Sequence, residues 1–326
     1  MNNLVSNDLN SQTWLRKWEV LIDNSDEGSS KTTRIDISAL RCVFTIKVQR
    51  DGRKYCALQI FNMKPSTESL ILKKGLNIKI SAGYQTSRYG VIFNGQIVQS
   101  YRNRNNGVDW ITEIFAISGK AVTQGIAKLA IAASSEPREI LNKVAENSDM
   151  TFKIGKVSDK LNNQKFPCAR IIFGSVRKVI RQLTYFDDTR PVINENNKVD
   201  IVSPSDKIPA NMAIHLTPQT GLIGSPVYSD DGIVIPMLLD SRVNINSLIK
   251  IDNNIIERKQ ANFDIDAAFS ENSNLVNQNM LFDKVEEYSV AAITHEGDTY
   301  GDIWKTEVIG FSQSKGILDL QKATMS

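Results

Sequence analysis

Histidine and cysteine are scarce in this sequence, with two and three residues respectively among 326. The three cysteines, Cys42, Cys56 and Cys168, fall in no CxxC spacing, which excludes a thiolate zinc site and gives no disulfide framework. They read as small buried apolar residues of a protein made in a reducing cell. No apolar run approaches the roughly 18–20 residues of a membrane span. The opening "MNNLVSNDLNSQTW" has no charged segment leading into an apolar one, so synthesis in the cytoplasm without membrane insertion is expected. Net charge is also small, at +3 from 39 basic and 36 acidic side chains, which argues against a dedicated nucleic-acid or polybasic membrane binder. Gly-rich phosphate loops are absent.

What is present is strand pattern. "WLRKWEVLI" and "LRCVFTIKVQ" alternate with period two, placing Cys42, Phe44, Ile46 and Val48 on one face and Arg41, Thr45, Lys47 and Gln49 on the other. "RDGRK" supplies a turn at Gly52, and "YCALQIFNM" returns as the partner strand. "LNIKISAGY", "GVIFNGQIVQSYRN" and "DWITEIFAISG" complete a set of short antiparallel strands. One helical interruption, "PSTESLILKKG", has Ser66 or Thr67 as its expected cap.

After Gly119 the character changes. "SSEPREILNKVAENS" reads as an amphipathic helix capped by Ser135, with Pro137 in its first turn and Ile140, Leu141 and Val144 on one face. "FGSVRKVIRQLTYF" repeats this with Val176, Val179, Ile180 and Leu183, and an extended segment follows each helix. From about Pro204 the strands resume in "GIVIPMLL", "SLIKIDN", "YSVAAITHEG" and "IWKTEVIGF". The expected class is mainly β with an α/β insert. Its divisions are an N-terminal arm (1–13), a first antiparallel β-barrel (14–119), an α/β middle domain (120–205), a second barrel (206–311) and a C-terminal tail (312–326).

Four segments carry residue types that chemistry uses. Ser225, in "GLIGSPVYSDDGIVIPMLL", lies on a tight turn, but a nucleophile elbow needs G-x-S-x-G between a strand and a helix. Here Pro226 follows the serine and more strand follows the proline. "THEGDTYGD" places His295 beside Glu296, yet H-E-x-x-H needs a second histidine where Thr299 stands, and the only other histidine is His215. A hairpin centred in "GDTYGD" instead sets His295 opposite Trp304, a cross-strand pair worth about 0.2–1 kcal/mol. "YRNRNNGVDW" combines Tyr101, Arg102, Arg104 and Trp110 as a single-strand groove would, but two arginines at a hairpin tip make no extended basic face. Asp187-Asp188 and Asp230-Asp231 adjoin turn signals, where aspartate caps the backbone. The residues therefore imply no catalytic, cofactor-binding or metal site. Gly221, Gly224, Pro226, Asp231 and Gly232 read as turn devices, and His295 and Trp304 as packing.

Taken in order, "AGYQTSRYGVIFNGQI", "FGSVRKVIRQLTYFDDTRPVINENNKVDIV", "TGLIGSPVYSDDGIVIPMLLDSRVNINSLIKID" and "VAAITHEGDTYGDIWKTEVIGF" resemble the central baseplate hub proteins of tailed bacteriophages, from about Trp14 to Phe311. The resemblance implies a virion structural protein with two tail-tube-like barrels per chain. It implies a homotrimeric, pseudo-sixfold ring between a sixfold tail tube or distal tail protein and a threefold spike or tip protein. Tape-measure and baseplate wedge proteins are further implied contacts, and DNA passes without specific binding. The competing classes are a β-rich hydrolase using His295 or Ser225 and a tail-tip adhesion module.

Overall fold

Alternation along the strands decides the layering of this chain. The computed structural model describes residues 15–23, 34–72, 75–105, 107–161, 165–184, 189–194, 198–203, 206, 213–229, 232–252 and 285–312. In β3 (Cys42–Val48) and β4 (Lys54–Phe61) every second side chain is buried, because successive side chains of a strand point to opposite faces. The remaining strands of the first part are β1 (Arg16–Asp23), β2 (Arg34–Asp36), β5 (Asn77–Tyr84), β6 (Gly90–Asn105) and β7 (Asp109–Ile117). Helix α1 (Pro65–Ile71) interrupts them. It starts at its proline with Lys64 as N-cap and no side-chain cap, so neither Ser66 nor Thr67 performs that role. Proline's fixed φ and missing N–H suit the first helical position, and this moves the start ahead of both hydroxyls.

The middle of the chain forms α2 (Lys120–Gln124), β8 (Ile126–Ile131), α3 (Pro137–Glu146), β9 (Lys153–Val157), β10 (Arg170–Ser175), α4 (Val176–Thr184), β11 (Arg190–Asn194) and β12 (Lys198–Val202). Two small sheets result, one of β10 and β8 and one in the order β11, β12, β9. Pro137, Ile140, Leu141 and Val144 of α3 and Val176, Val179 and Ile180 of α4 are buried. The cap of α3 is Glu136 rather than Ser135, again one residue before a proline, and the Ser135 carbonyl accepts from Phe166 N–H instead. Strand β8 and short α2 have no counterpart in the pattern reading; "IAKLAI" is a weak six-residue alternation whose pairing with β10 on one side and hydrogen bonds to residues 147–149 on the other are tertiary.

The last part contains β13 (Ile214–His215), β14 (Val227–Ser229), β15 (Gly232–Leu238), β16 (Leu248–Asp252), β17 (Val285–Asp298) and β18 (Trp304–Ser312). It does not stand apart from the first. Residues Ile293–Asp298 of β17 pair antiparallel with Val43–Val48 of β3. A single 13-stranded sheet therefore runs β14-β15-β18-β17-β3-β4-β7-β6-β5-β1-β2, with β16 and β13 branching from β17.

Three apolar cores accompany this sheet. The first gathers Val20, Phe44, Leu58, Ile78 and Phe93 with their neighbours, together with Leu239 and Trp304 from the last part. The second lies between α3, α4 and the two small sheets around Leu141, Ile180 and Val199. The third packs Ile235, Met237, Ile249, Tyr288 and Val308, and takes Val48 from β3. Each fully buried aliphatic side chain contributes about 1.5–3 kcal/mol, so the exchange of Trp304, Leu239 and Val48 between cores couples the two strand-rich parts.

Candidate functional site

Within the stretch 221–239, residues 221–229 lead towards β15, and one long side chain packs at their start. Thr217 and Thr220 form a capping box around the short 3-10 turn Pro218–Thr220, and Gly221 closes it at φ 107°. The left-handed φ requires glycine at Gly221, and a Cβ there would also push against the end of the Arg88 side chain. Gly224 takes φ 64° and Gly232 φ 119°, and Pro226 is buried ahead of β14. Asp231, with Asp230, Asp187 and Asp188, lies outside the described residues. Ser225 sits between Gly224 and Pro226, followed by strand and not by a helix.

Arg88 comes from the turn between β5 and β6. Its Nη2 donates to the Thr220 carbonyl at 2.6 Å, and its Nε lies 3.5 Å from Asp240 Oδ2. Asp240 is fully buried, and it also receives Arg242 through Nε at 3.0 Å and Nη2 at 2.7 Å. Burial lowers the Arg88 pKa against the opposing pull of Asp240, while the hydrogen bond to Asp240 raises that of Arg242. The Asp240 backbone N–H donates to Thr306 Oγ1 at 3.2 Å, and Thr306 Oγ1 is 2.8 Å from His295 Nδ1. A polar chain therefore runs from the β5–β6 turn through Asp240 to the centre of the β17–β18 pair. Nothing in the sequence joins Arg88 to Asp240. Only the two-residue spacing of Asp240 and Arg242 hints at a local pair.

His295 faces Thr306 in register, and Trp304 faces Gly297. The expected His295–Trp304 pairing is thus corrected, because the hairpin is centred between Tyr300 and Gly301, one residue later than the middle of "GDTYGD". His295 is 2 % exposed, and burial, followed by the charge of Lys54, pushes its pKa down to about 3. A ring held neutral and out of solvent in this way cannot meet a substrate. Trp304 packs edge to face on Trp18 and Phe44, with centroids 6.1 and 5.6 Å apart. His215 lies exposed on β13 at the other side of the branch.

The loop after β17 is a second clamp. Arg41 forms a two-point contact with Asp298, whose carboxyl this hydrogen bonding holds below the usual range. Arg16 donates to the carbonyls of Gly301 and Asp302. Cys42 and Cys56 are buried, with the Cys42 thiol pushed up to about 12, whereas Cys168 is exposed, contrary to the expectation for all three. Cys168 lies in the short connection ahead of β10, where no strand pattern forces burial. Arg102 stacks on Trp110 at 3.7 Å across the β6–β7 hairpin and pairs with Glu68 of α1 at 3.4 Å, so these side chains are engaged with one another.

Among the described residues, then, the polar clusters are clamps between segments of a mainly β fold. The same fold occurs in the prophage MuSo2 43 kDa tail protein from Shewanella oneidensis, at TM-score 0.53 and 10% identity over 90% of this chain and 96% of that one. It occurs in a tail protein from Neisseria meningitidis MC58, at 0.51 and 7% over 90% and 96%. The Escherichia coli c3393 protein matches at 0.50 and 8% over 91% and 76%. It is described as a type VI secretion component similar to the T4 tail proteins gp27 and gp5. No curated protein matches the sequence itself. Residues 46–265 match the baseplate hub gp41 family, and the chain belongs to that family. It is a structural component of the bacteriophage tail, a virion protein of the baseplate hub.

Proposed function

We propose that three copies of this hub protein close into a pseudo-sixfold ring, each contributing two tail-tube-like barrels bounded as 14–119 and 206–311. The ring adapts a sixfold tail tube or distal tail protein on one side to a threefold spike or tip protein on the other, and DNA passes through it during ejection. The middle domain, 120–205, faces wedge or tape-measure proteins. Assembly takes place in the host cytoplasm, and the ring acts as a scaffold without a catalytic residue.

The observation that carries this reading is the β3–β17 pairing. It sets two strand-rich parts side by side in one sheet, each centred on its own core, so that three chains offer six such modules. Closed cyclic assembly also covers sheet edges that would otherwise template unwanted association. A near-neutral balance of charge suits a channel, because tight phosphate binding would make DNA passage slow and salt-dependent.

Light scattering and negative-stain imaging of the purified chain, alone and with its tail-tube protein, test the proposal. Threefold rings of three chains are expected. A species that stays monomeric at high concentration and forms no ring with the tube protein would overturn it.

A further inference from the structure

The small sheet of β8 and β10 has an open edge, and its direction can be read from the main-chain hydrogen bonds. On the far side of β8 the Lys128 N–H donates to the Asn147 carbonyl, and the Ile126 carbonyl accepts from the Asp149 N–H. Residues 126 and 128 therefore turn their main-chain groups away from β10, and residues 127, 129 and 131 turn theirs towards it. Those three face Gly174, Ile172 and Arg170 in register. By the same alternation Ile171 and Phe173 direct their N–H and C=O groups to the outer edge, away from β8. Among the described residues no strand lies there.

The side chains of Ile171 and Phe173 are 84 % and 73 % exposed, on the sheet face they share with Lys128 and Ala130. A strand alongside would shield much of both. The edge is also regular, with six residue pairs in unbroken register and neither bulge nor proline. Proteins ordinarily blunt such an apolar edge, because it templates pairing with another chain. Here the one charge on β10 is Arg170, at its start.

Charge indicates what the edge accepts. The two strands carry two cations, Lys128 and Arg170, and no carboxylate. Both cations are exposed and rest on rings, Lys128 Nζ 5.5 Å from the centre of Phe173 and the Arg170 guanidinium 4.9 Å from that of Phe166. The Asp149 carboxylate, bonded to the Ile126 N–H, lies across β8 from the edge.

We propose that the outer edge of β10 takes up an extended segment of a partner protein in which apolar and acidic side chains alternate. Main-chain pairing to Ile171 and Phe173 supplies affinity, and the alternate side chains supply specificity. The apolar ones lie beside Ile171 and Phe173, and the acidic ones, on the opposite face, meet Arg170. Lys128 adds to the attraction and disfavours a basic segment. The site gives a location to the contact proposed above for the middle domain, and it rests on that reading for its partner but not on the ring.

The test uses the full chain and a short fluorescein-labelled peptide of alternating valine and glutamate, followed by fluorescence anisotropy. Saturable binding to the wild type is expected. A peptide with lysine in place of glutamate is expected to bind at least about tenfold more weakly. Phe173→Pro removes an outward N–H and an exposed ring while sparing the β8 ladder, and it is expected to abolish binding. Ile171→Glu, which alters only an exposed side chain, is expected to weaken binding at least about tenfold and decides alone should the proline variant not fold. No saturable binding, or wild-type binding by Ile171→Glu, overturns the proposal. Sedimentation of the same samples without peptide tests the other occupant: wild-type assemblies that Ile171→Glu dissociates would assign the edge to a second copy and overturn the partner segment. Rings are imaged separately, so that rings without peptide binding refute this site alone, and peptide binding without rings refutes the ring alone.

Discussion

The His295 ring is the residue at which burial has its clearest chemical consequence. Its folded pKa, about 3, is below the ordinary value of 6.5, so the unfolded chain binds a proton that the folded chain refuses. The stability tied to the neutral ring is full above about pH 6.5 and is lost as pH falls toward 3, at up to about 1.4 kcal/mol per pH unit. Asp36 and Asp298, whose carboxyls are held low, lose stability only once pH falls below their ordinary 3.8. Between pH 6.5 and 4.5 the urea midpoint of His295→Gln is expected to change less with pH than that of the wild type. Parallel slopes would contradict a buried neutral histidine. Asp240 is the other sensitive residue. Asp240→Ala leaves the Arg88 guanidinium, 9 % exposed, without its partner, and a loss of about 3–5 kcal/mol is expected from denaturant titration.

At the scale of elements, β17 has the central part, since it pairs with β18, β3 and β16 along its length. Thr294 faces Lys47 on one side and Glu307 on the other. Proline there removes a ladder donor and rigidifies a central strand, so Thr294→Pro is expected to yield insoluble or proteolysed protein, checked by soluble yield. The β3–β4 turn is a second such point. Gly52 has φ 77°, and a Cβ there would collide with the Ile193 backbone of β11. Gly52→Ala is expected to cost more than about 1 kcal/mol and to speed limited proteolysis of the middle unit. Cleavage at the wild-type rate would show that this contact does not hold the unit in place.

Across the whole molecule, the two strand-rich parts are expected to unfold together. Trp304 belongs to the last part in sequence but packs in the first core against Trp18 and Phe44. Trp304→Ala is expected to cost about 3–5 kcal/mol. Amide exchange should then rise in β1 and β3 as well as in β18. A rise confined to β17 and β18 would mean that the parts are energetically separate.

Much of this was legible from the chain, and the reason is local. Period-two burial needs only a strand and a core, so β3, β4 and β15 stand where alternation places them, and the apolar faces of α3 and α4 follow from helical spacing. The ordered segments also carry the family resemblance, which the match over residues 46–265 establishes. Register was legible only roughly, since the His295 partner depends on how many residues the turn consumes. Helix starts were shifted because a proline at the first position outweighs a nearby hydroxyl. Strand β8 depends on β10, and the Arg88–Asp240 clamp joins side chains that no local pattern relates. By itself the sequence determined the longer strands and the helices α3 and α4, their inward faces and the family. The tertiary structure alone decided that β3 and β17 share one sheet, that His295 is neutral, and that Arg88 meets Asp240, because each rests on burial and on contacts between distant segments.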